Sequence, residues 1–156
     1  MKKLKKVGLL AIICTFLLTI TGCTNNVEGT LEEIMTKVYS NVAEEERPMA
    51  LTNMEVNSEN IEGFLGTSDI SYSEALASES MIGSIAHSVV LVRVEDNANV
   101  EEVKNKIKEN VNPRKWICVG VEKEDVIIKN KGNLIIVIIV EDETTRTKID
   151  EAFNNL

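Results

Sequence analysis

The sequence has few of the residues with which enzymes and metalloproteins build their sites. One histidine and three cysteines occur in 156 residues, and their spacing matches no zinc-binding pattern. The chain also lacks a calcium-binding loop, a glycine-rich phosphate loop, a serine nucleophile elbow and a dinucleotide-binding fingerprint. We therefore expect no metal ion and no cofactor, and the residues alone define no reaction.

Aromatic residues and long apolar runs are also scarce. Aromatic side chains make up 4% of the chain and hydrophobic residues 44%, so the core must be mainly aliphatic. The longest largely apolar run, Val7 to Ile20, covers 14 residues. A membrane-spanning helix needs about 20 residues, so this run is too short for a span and is typical of the core of a signal peptide.

The residues on either side of this run support that interpretation. The run ends in Ile20-Thr21-Gly22-Cys23 and is preceded by four lysines, Lys2, Lys3, Lys5 and Lys6. Its ending resembles the lipobox of bacterial lipoproteins, in which the cysteine thiol accepts a diacylglycerol and cleavage makes that cysteine the new N-terminus. We therefore predict a signal peptide over residues 1–22 and a lipidated Cys23, whose two acyl chains would anchor the protein stably. The alternative is an uncleaved anchor in which Cys23 is incidental.

Cleavage at this site would make the chain strongly acidic. The whole sequence has 17 basic and 25 acidic residues, and loss of the four lysines leaves 13 basic residues and a net charge of −12. Such a surface argues against nucleic acid as a partner, because nucleic-acid binding needs basic patches. With Cys14 removed and Cys23 acylated, Cys118 is the one free cysteine, so no disulfide can form within a mature chain.

Residues 23–29 are predicted to be a lipid-anchored tether, and residues 30–156 a single domain. The six residues from Thr24 to Gly29 reach about 20 Å when fully extended. The domain, and any protein partner it has, should therefore lie close to the membrane.

The apolar pattern predicts helices first and strands later. A capping box at Thr30 and Glu33 starts the first helix, and a second box at Ser71 and Glu74 starts a short helix through Ala77. Further helices are predicted over Ser58–Leu65, from Asn99 to Val111, and at the C-terminus. Strands are predicted over Ser84–Glu95, Trp116–Glu122, Val126–Lys129 and Leu134–Val140, with a turn at Asn130–Asn133.

These elements predict an α+β fold. A small mixed sheet of about four strands, in the order β-α-β-β-β-α, has helices packed on it and is preceded by N-terminal helices. The crossover between Ser84–Glu95 and Trp116–Glu122 should be right-handed and join parallel strands, whereas the later strands should be antiparallel. The seven apolar residues Leu134–Val140 suit a strand that is covered on both faces.

Few side chains are candidates for a site. Cys118 and His87 are the only thiol–imidazole pair available, and a nucleophilic cysteine needs a base beside it; within a strand, Cys118 would otherwise be a small core residue. His87 is either a structural histidine or a ligand-binding or pH-sensing residue. Arg114-Lys115-Trp116 is either a polar loop before a core tryptophan or, with His87, a surface for a carboxylate, a phosphate or a lipid headgroup. We interpret the clusters Glu44–Glu46 and Glu141–Glu143 as solvated surface.

Two segments carry a resemblance to known proteins. They are Ser84–Val94, with the sequence SIAHSVVLVRV, and Asn112–Val121, with the sequence NPRKWICVGV. Together they resemble a family of small Gram-positive lipoproteins that carry a domain of unknown function, over roughly residues 31–153. The resemblance implies a location and an architecture, and it attaches no activity, ligand or catalytic residue to the chain.

The leading expectation is a lipoprotein on the outer face of the cytoplasmic membrane that acts as a non-enzymatic binding or accessory protein. It would contact membrane lipid through the acyl chains of Cys23 and a protein partner near the membrane. The alternative is a surface hydrolase that uses Cys118 and His87 or a pair of carboxylates. A solute-binding component of a transporter is disfavoured, because such proteins usually close two lobes around a ligand.

We expect cells to incorporate radiolabelled fatty acid into the protein and to lose that label in Cys23→Ala, because the lipobox presents this thiol alone. Cys14→Ala changes a cysteine of the same N-terminal region outside the lipobox, and it should keep the label. Label that persisted in Cys23→Ala would contradict the prediction.

Overall fold

The computed structural model describes residues 26–156. The predicted signal peptide, the lipobox and Cys23 lie outside these residues. The described chain forms the helices α1 (Leu31–Val38), α2 (Ile61–Leu65), α3 (Val100–Asn110) and α4 (Glu143–Asn154). Its strands are β1 (Leu51–Glu55), β2 (Tyr72–Ser80), β3 (His87–Val94), β4 (Ile127–Lys131) and β5 (Leu134–Val140). Short 3-10 helices occupy Glu44–Glu46 and Lys123–Asp125.

The strands form one open sheet in the order β1-β2-β3-β5-β4, and every neighbouring pair is antiparallel. The predicted α+β class is thus confirmed. Side chains alternate between the two faces of a sheet, so β3 and β5 contribute to two separate cores. One core lies against α1 and α4 and the other against α2 and α3. All seven residues of β5 are buried, as expected for a strand covered on both faces.

Capping residues determine where the long helices begin. Thr30 and Glu33 form the predicted reciprocal box at α1. The side chain of Asn99 accepts two amides in the first turn of α3, and that of Asp142 accepts the amide of Thr145 in α4. These bonds satisfy amides that have no partner within the helix, and they leave the apolar stripes of α1, α3 and α4 facing the sheet.

The helix predicted from Ser71 to Ala77 is wrong, because these residues belong to β2. Leu76 enters the α1–α4 core, whereas Ala75 and Ala77 enter the α2–α3 core. The ladders to β1 and β3 pair both edges of this strand, and Ala75–Ser78 are buried between the two layers of helices. Local capping signals are weak compared with such burial. The neighbouring edge strand β1 was also not predicted, because its mainly polar sequence has little apolar alternation.

The strand predicted over Trp116–Glu122 is also wrong, because this segment is a loop. Its backbone hydrogen bonds are not those of a strand ladder. The amide of Val121 donates to the carbonyl of Pro113 within the loop, and the amide of Ile117 donates to the carbonyl of Gly83 in the β2–β3 turn. The chain then continues into β4 at the far edge of the sheet. β5 lies between β3 and β4. The predicted crossover therefore joins strands that are not neighbours, and the sheet is antiparallel with five strands instead of mixed with about four.

Two glycines in and after α2 provide a matched test of this packing. Gly66 ends the helix at φ +76°, and a Cβ there would overlap the backbone of Asn110 at the end of α3, whereas a Cβ on Gly63 would meet nothing within 4 Å. We expect Gly66→Ala to lower the free energy of unfolding by more than about 2 kcal/mol, since the left-handed backbone alone costs a non-glycine residue about 1–2 kcal/mol.

Gly63→Ala should be neutral or stabilising by up to about 1 kcal/mol, because alanine is the better helix former. Urea unfolding followed by the fluorescence of the single tryptophan measures both variants. Equal stabilities would show that α2 does not pack closely against the end of α3.

Candidate functional site

The residues singled out in the sequence lie at one end of the sheet but on different faces. His87 begins β3, and the loop that carries Arg114, Lys115, Trp116 and Cys118 crosses the same end. His87 points towards the α1–α4 core, whereas Trp116 packs against the α2–α3 core. The structure therefore does not bring His87 together with the Arg114-Lys115-Trp116 segment on one concave surface.

His87 forms a buried hydrogen-bonded group with Tyr39. Its side chain is 3% exposed, and its Nε2 lies 2.7 Å from the Tyr39 hydroxyl, with the two rings stacked at 6.0 Å between centroids. The side chain of Ser78, on β2, lies near this hydroxyl and partly offsets the rise in the pKa of Tyr39. Arg47 lies 5.5 Å from the centre of the Tyr39 ring and donates to the carbonyls of Tyr39 and Val42. The group therefore connects α1, β2, β3 and the segment before β1.

The protonation states of this group follow from burial. Desolvation lowers the pKa of His87 to about 4 and raises the pKa of Tyr39 well above its ordinary value. Near neutral pH the phenol therefore keeps its proton and the imidazole is uncharged. A phenol that donates to an unprotonated Nε2 satisfies its own proton and this ring nitrogen. This arrangement supports the structural interpretation of His87 over a sensor that titrates near pH 7.

Lys115 is the centre of a second group, on the opposite face. Its Nζ lies 2.7 Å from Glu79 Oε2, and both side chains are about 15% exposed. Ser88 donates to the same carboxylate at 3.0 Å. The ammonium also lies over the rings of Phe64 and Trp116, at 4.7 and 5.2 Å from their centres. Lys115 is thus already neutralised, and it holds the loop against β2 and α2.

Arg114, Ile117 and Cys118 of this loop are exposed, whereas Val119 and Val121 pack against the α2–α3 core. Arg114 is 61% exposed on its side chain and pairs with Glu122. Cys118 is an exposed free thiol whose backbone has a φ of +62°. It shares no contact with His87, whose Nε2 is occupied by Tyr39 on the other face of the sheet. The described residues thus contain no thiol–imidazole pair of the kind that activates a nucleophilic cysteine.

An acidic cleft and an apolar surface lie side by side at this end of the sheet. The cleft, of about 470 Å³, is lined by residues that include Glu46, Pro48, Ile85, His87 and Glu141. Beside it are the exposed large hydrophobic side chains of the described chain: Met49 at 70%, Met81 at 62% and Ile117 at 71%. We call these three residues the apolar tip. Sequence reasoning missed the tip, because it joins three segments that no local pattern connects.

Residues 26–29 lie at the other end of the sheet, where Arg93 binds their backbone. Arg93 donates to the carbonyls of Val27 and Gly29 at 2.9 and 2.8 Å, and it pairs with Glu74 at 2.6 Å. The amide of Asn133 donates to the side chain of Asn26. Residues 26–29, predicted to be tether, are therefore held against the ends of β2, β3 and the β4–β5 turn. We call this the Asn26 end of the sheet.

Comparison with known proteins finds no matching family model, no matching curated protein and no matching solved structure. Over residues 26–156, no group of three or more His, Cys, Asp or Glu side chains is arranged so that it could hold a metal ion. No helix in that range is both long and apolar enough to span a bilayer.

The buried His87 should make the domain sensitive to acid. Its folded pKa of about 4 lies below the ordinary value of 6.5. Between these two pH values His87 is protonated in the unfolded chain and unprotonated in the folded protein. The contribution of His87 to the free energy of unfolding is therefore fully present at neutral pH and is lost as the pH falls. Between pH 7 and pH 5 we expect a loss of about 2 kcal/mol from this residue.

His87→Gln keeps a hydrogen-bonding side chain and removes the titration, so its free energy of unfolding should change less over this interval. The pKa values of Glu46 and Asp142 are lowered by hydrogen bonds from Lys148 and Thr145, respectively. They add an acid-induced loss of the same sign in both proteins. Urea unfolding at several pH values measures the difference, and equal pH dependences would show that His87 is not buried as an uncharged group.

Proposed function

We propose that this protein is a lipoprotein, anchored through Cys23 at the outer face of the cytoplasmic membrane, and that it acts there as a non-enzymatic binding or accessory protein. The observation that carries the proposal is the binding of residues 26–29 by Arg93 and Asn133. If these residues were not bound to the domain, they would be a flexible connection to the predicted lipid and the domain could tumble freely. The resemblance to small Gram-positive lipoproteins remains a prediction that agrees with this function.

The geometry would give such an anchored domain a defined orientation. Three Cα–Cα steps separate Cys23 from Asn26, which corresponds to at most about 11 Å. The Asn26 end of the sheet would therefore lie next to the bilayer. β3 runs eight residues from the opposite end to this one, and eight residues of strand span about 26 Å. The apolar tip and the acidic cleft would then face away from the membrane.

The chemistry of the described residues supports binding over catalysis. In the two groups at His87 and at Lys115 the titratable side chains are paired internally, the His87 Nε2 with the Tyr39 hydroxyl and the Lys115 ammonium with Glu79. Cys118 is exposed, whereas His87, the single imidazole of the sequence, is buried against Tyr39. The hydrolase alternative that uses Cys118 and His87 would need these two residues to meet, and the sheet separates them.

The orientation can be measured by energy transfer in vesicles. Cys118 is an exposed thiol at the tip end, and Asp96→Cys in a Cys118→Ser background places a matched thiol in the exposed turn after β3, at the Asn26 end. With the lipidated protein in vesicles that carry acceptor dyes at their surface, we expect strong transfer from position 96 and weak transfer from position 118.

Arg93→Ala should release residues 26–29 and make the two transfer efficiencies more alike. This variant separates the effect of the Arg93 contacts from that of chain length alone. Equal transfer from both positions with Arg93 intact would overturn the proposed orientation. Vesicle binding that persists in Cys23→Ala would overturn the anchor.

A further inference from the structure

We propose that the apolar tip and its acidic surroundings form a docking surface for a basic protein segment, one that presents apolar side chains between lysines or arginines. The position of this partner, on the side away from the bilayer, rests on the proposed function. The surface itself rests on the described residues alone.

The apolar side of this surface is built from three separate segments. The amide of Met81 donates to the carbonyl of Ala50 at 3.1 Å, and the hydroxyl of Ser80 donates to the carbonyl of Met49. The amide of Ile117 donates to the carbonyl of Gly83 at 2.7 Å. These bonds bring the backbone of the three segments together at the β2–β3 turn. The exposure of Met49, Met81 and Ile117 contrasts with the buried valines, leucines and isoleucines of the two cores, and clustered apolar exposure marks interaction surfaces.

The backbone beside two of these residues is in an unfavourable conformation. Ala50 follows Met49 with a φ of +53°, and Cys118 follows Ile117 with a φ of +62°. A left-handed conformation is unfavourable for any residue with a Cβ. Such a cost persists where the surrounding structure enforces it, and it is concentrated at functional surfaces. Here the unfavourable backbone lies next to the exposed side chains of Met49 and Ile117, which add no packing to the core in return.

The polar side of this surface is acidic. Glu44, Glu45, Glu141 and Glu143 are exposed on the two segments that border the cleft. Among the nearby cations, Lys148 pairs with Glu46 at 2.6 Å and Arg146 with Asp125 at 3.5 Å. Arg47 donates to the backbone carbonyls of Tyr39 and Val42 and has no carboxylate partner among the ion pairs of the described residues. A partner that brings lysine or arginine would therefore find unneutralised carboxylates next to apolar side chains. Complementary charge of this kind speeds association and selects the partner.

The same charges disfavour the other occupants. An anionic lipid surface would be repelled by the carboxylates, and on the proposed orientation the tip faces away from it. A second copy of the chain carries the same acidic tip and the same net charge of −12 after processing. A basic protein segment satisfies both the apolar and the acidic part of the surface.

The test uses the lipidated full chain in phosphatidylcholine vesicles and a 12-residue peptide of alternating lysine and leucine as the probe. Trp116, the single tryptophan, precedes Ile117 and reports binding at the tip without a label. We expect a saturable change in its emission that weakens as salt is added. A peptide of alternating lysine and serine should bind at least about tenfold more weakly, because it lacks the apolar contact.

Two variants separate the apolar and the acidic contributions. Replacing the three tip residues by serine (Met49→Ser, Met81→Ser, Ile117→Ser) changes exposed side chains only, and it should lower the affinity by at least about tenfold. Glu141→Gln with Glu143→Gln should lower it several-fold and flatten the salt dependence. The matched pair Glu95→Gln with Asp96→Asn removes the same charge at the Asn26 end and should leave binding unchanged.

The proposal is overturned if the serine variant binds the peptide as well as the unaltered protein, or if the two charge-neutralised pairs behave alike. It is also overturned if the emission of Trp116 depends on protein concentration without peptide, since the tip would then bind a second copy. Energy transfer from positions 96 and 118 reports anchoring independently of the peptide. Tip binding without anchoring would refute the proposed function alone, and anchoring without tip binding would refute this inference alone.

Discussion

The burial of β3 and β5 on both faces is the constraint on which the rest of the structure depends. Every side chain of β5 and nearly every side chain of β3 is buried, so each successive residue must enter a different core. His87 and Ser88 are neighbours in sequence, yet one bonds Tyr39 under α1 and the other bonds Glu79 under the 112–122 loop. The two polar groups of the domain are therefore separated by the sheet, and neither can complete the other.

Each polar group satisfies buried atoms and in doing so joins distant segments. Tyr39 and His87 are 48 residues apart, and Lys115 and Glu79 are 36 apart. A buried donor or acceptor without a partner costs about 1–3 kcal/mol, so removal of one member destabilises the contact between whole elements. Charged residues that sequence patterns associate with ligand binding, such as Lys115, are here used to fix a loop. A binding surface must therefore be formed by side chains outside the His87 and Lys115 groups, such as those of the apolar tip.

Sequence patterns predicted the elements whose signals are local. The capping box at Thr30, the helix from Asn99, the alternation from Ser84 to Glu95 and the apolar run of β5 all correspond to observed structure. The segments at 71–77 and 116–122 were predicted wrongly, because their conformation depends on partners far along the chain. β2 is a strand because β1 and β3 pair with it, and the 116–122 loop is excluded from the sheet because β5 occupies the place beside β3. The apolar tip could not be predicted for the same reason, since it exists only where three turns meet.

The rigidity of the central strand links the two ends of the domain. Arg93 holds residues 27–29 at one end of β3, and Ser88, at the other end of that strand, bonds Glu79 beneath the loop that carries Ile117. A strand packed on both faces cannot bend without disturbing two cores. A lipid at Cys23 would therefore set more than the distance of the domain from the bilayer. It would fix which end of the sheet meets the membrane. It would also hold the apolar tip and its acidic surroundings about 26 Å beyond that end, where a partner away from the membrane surface can reach them.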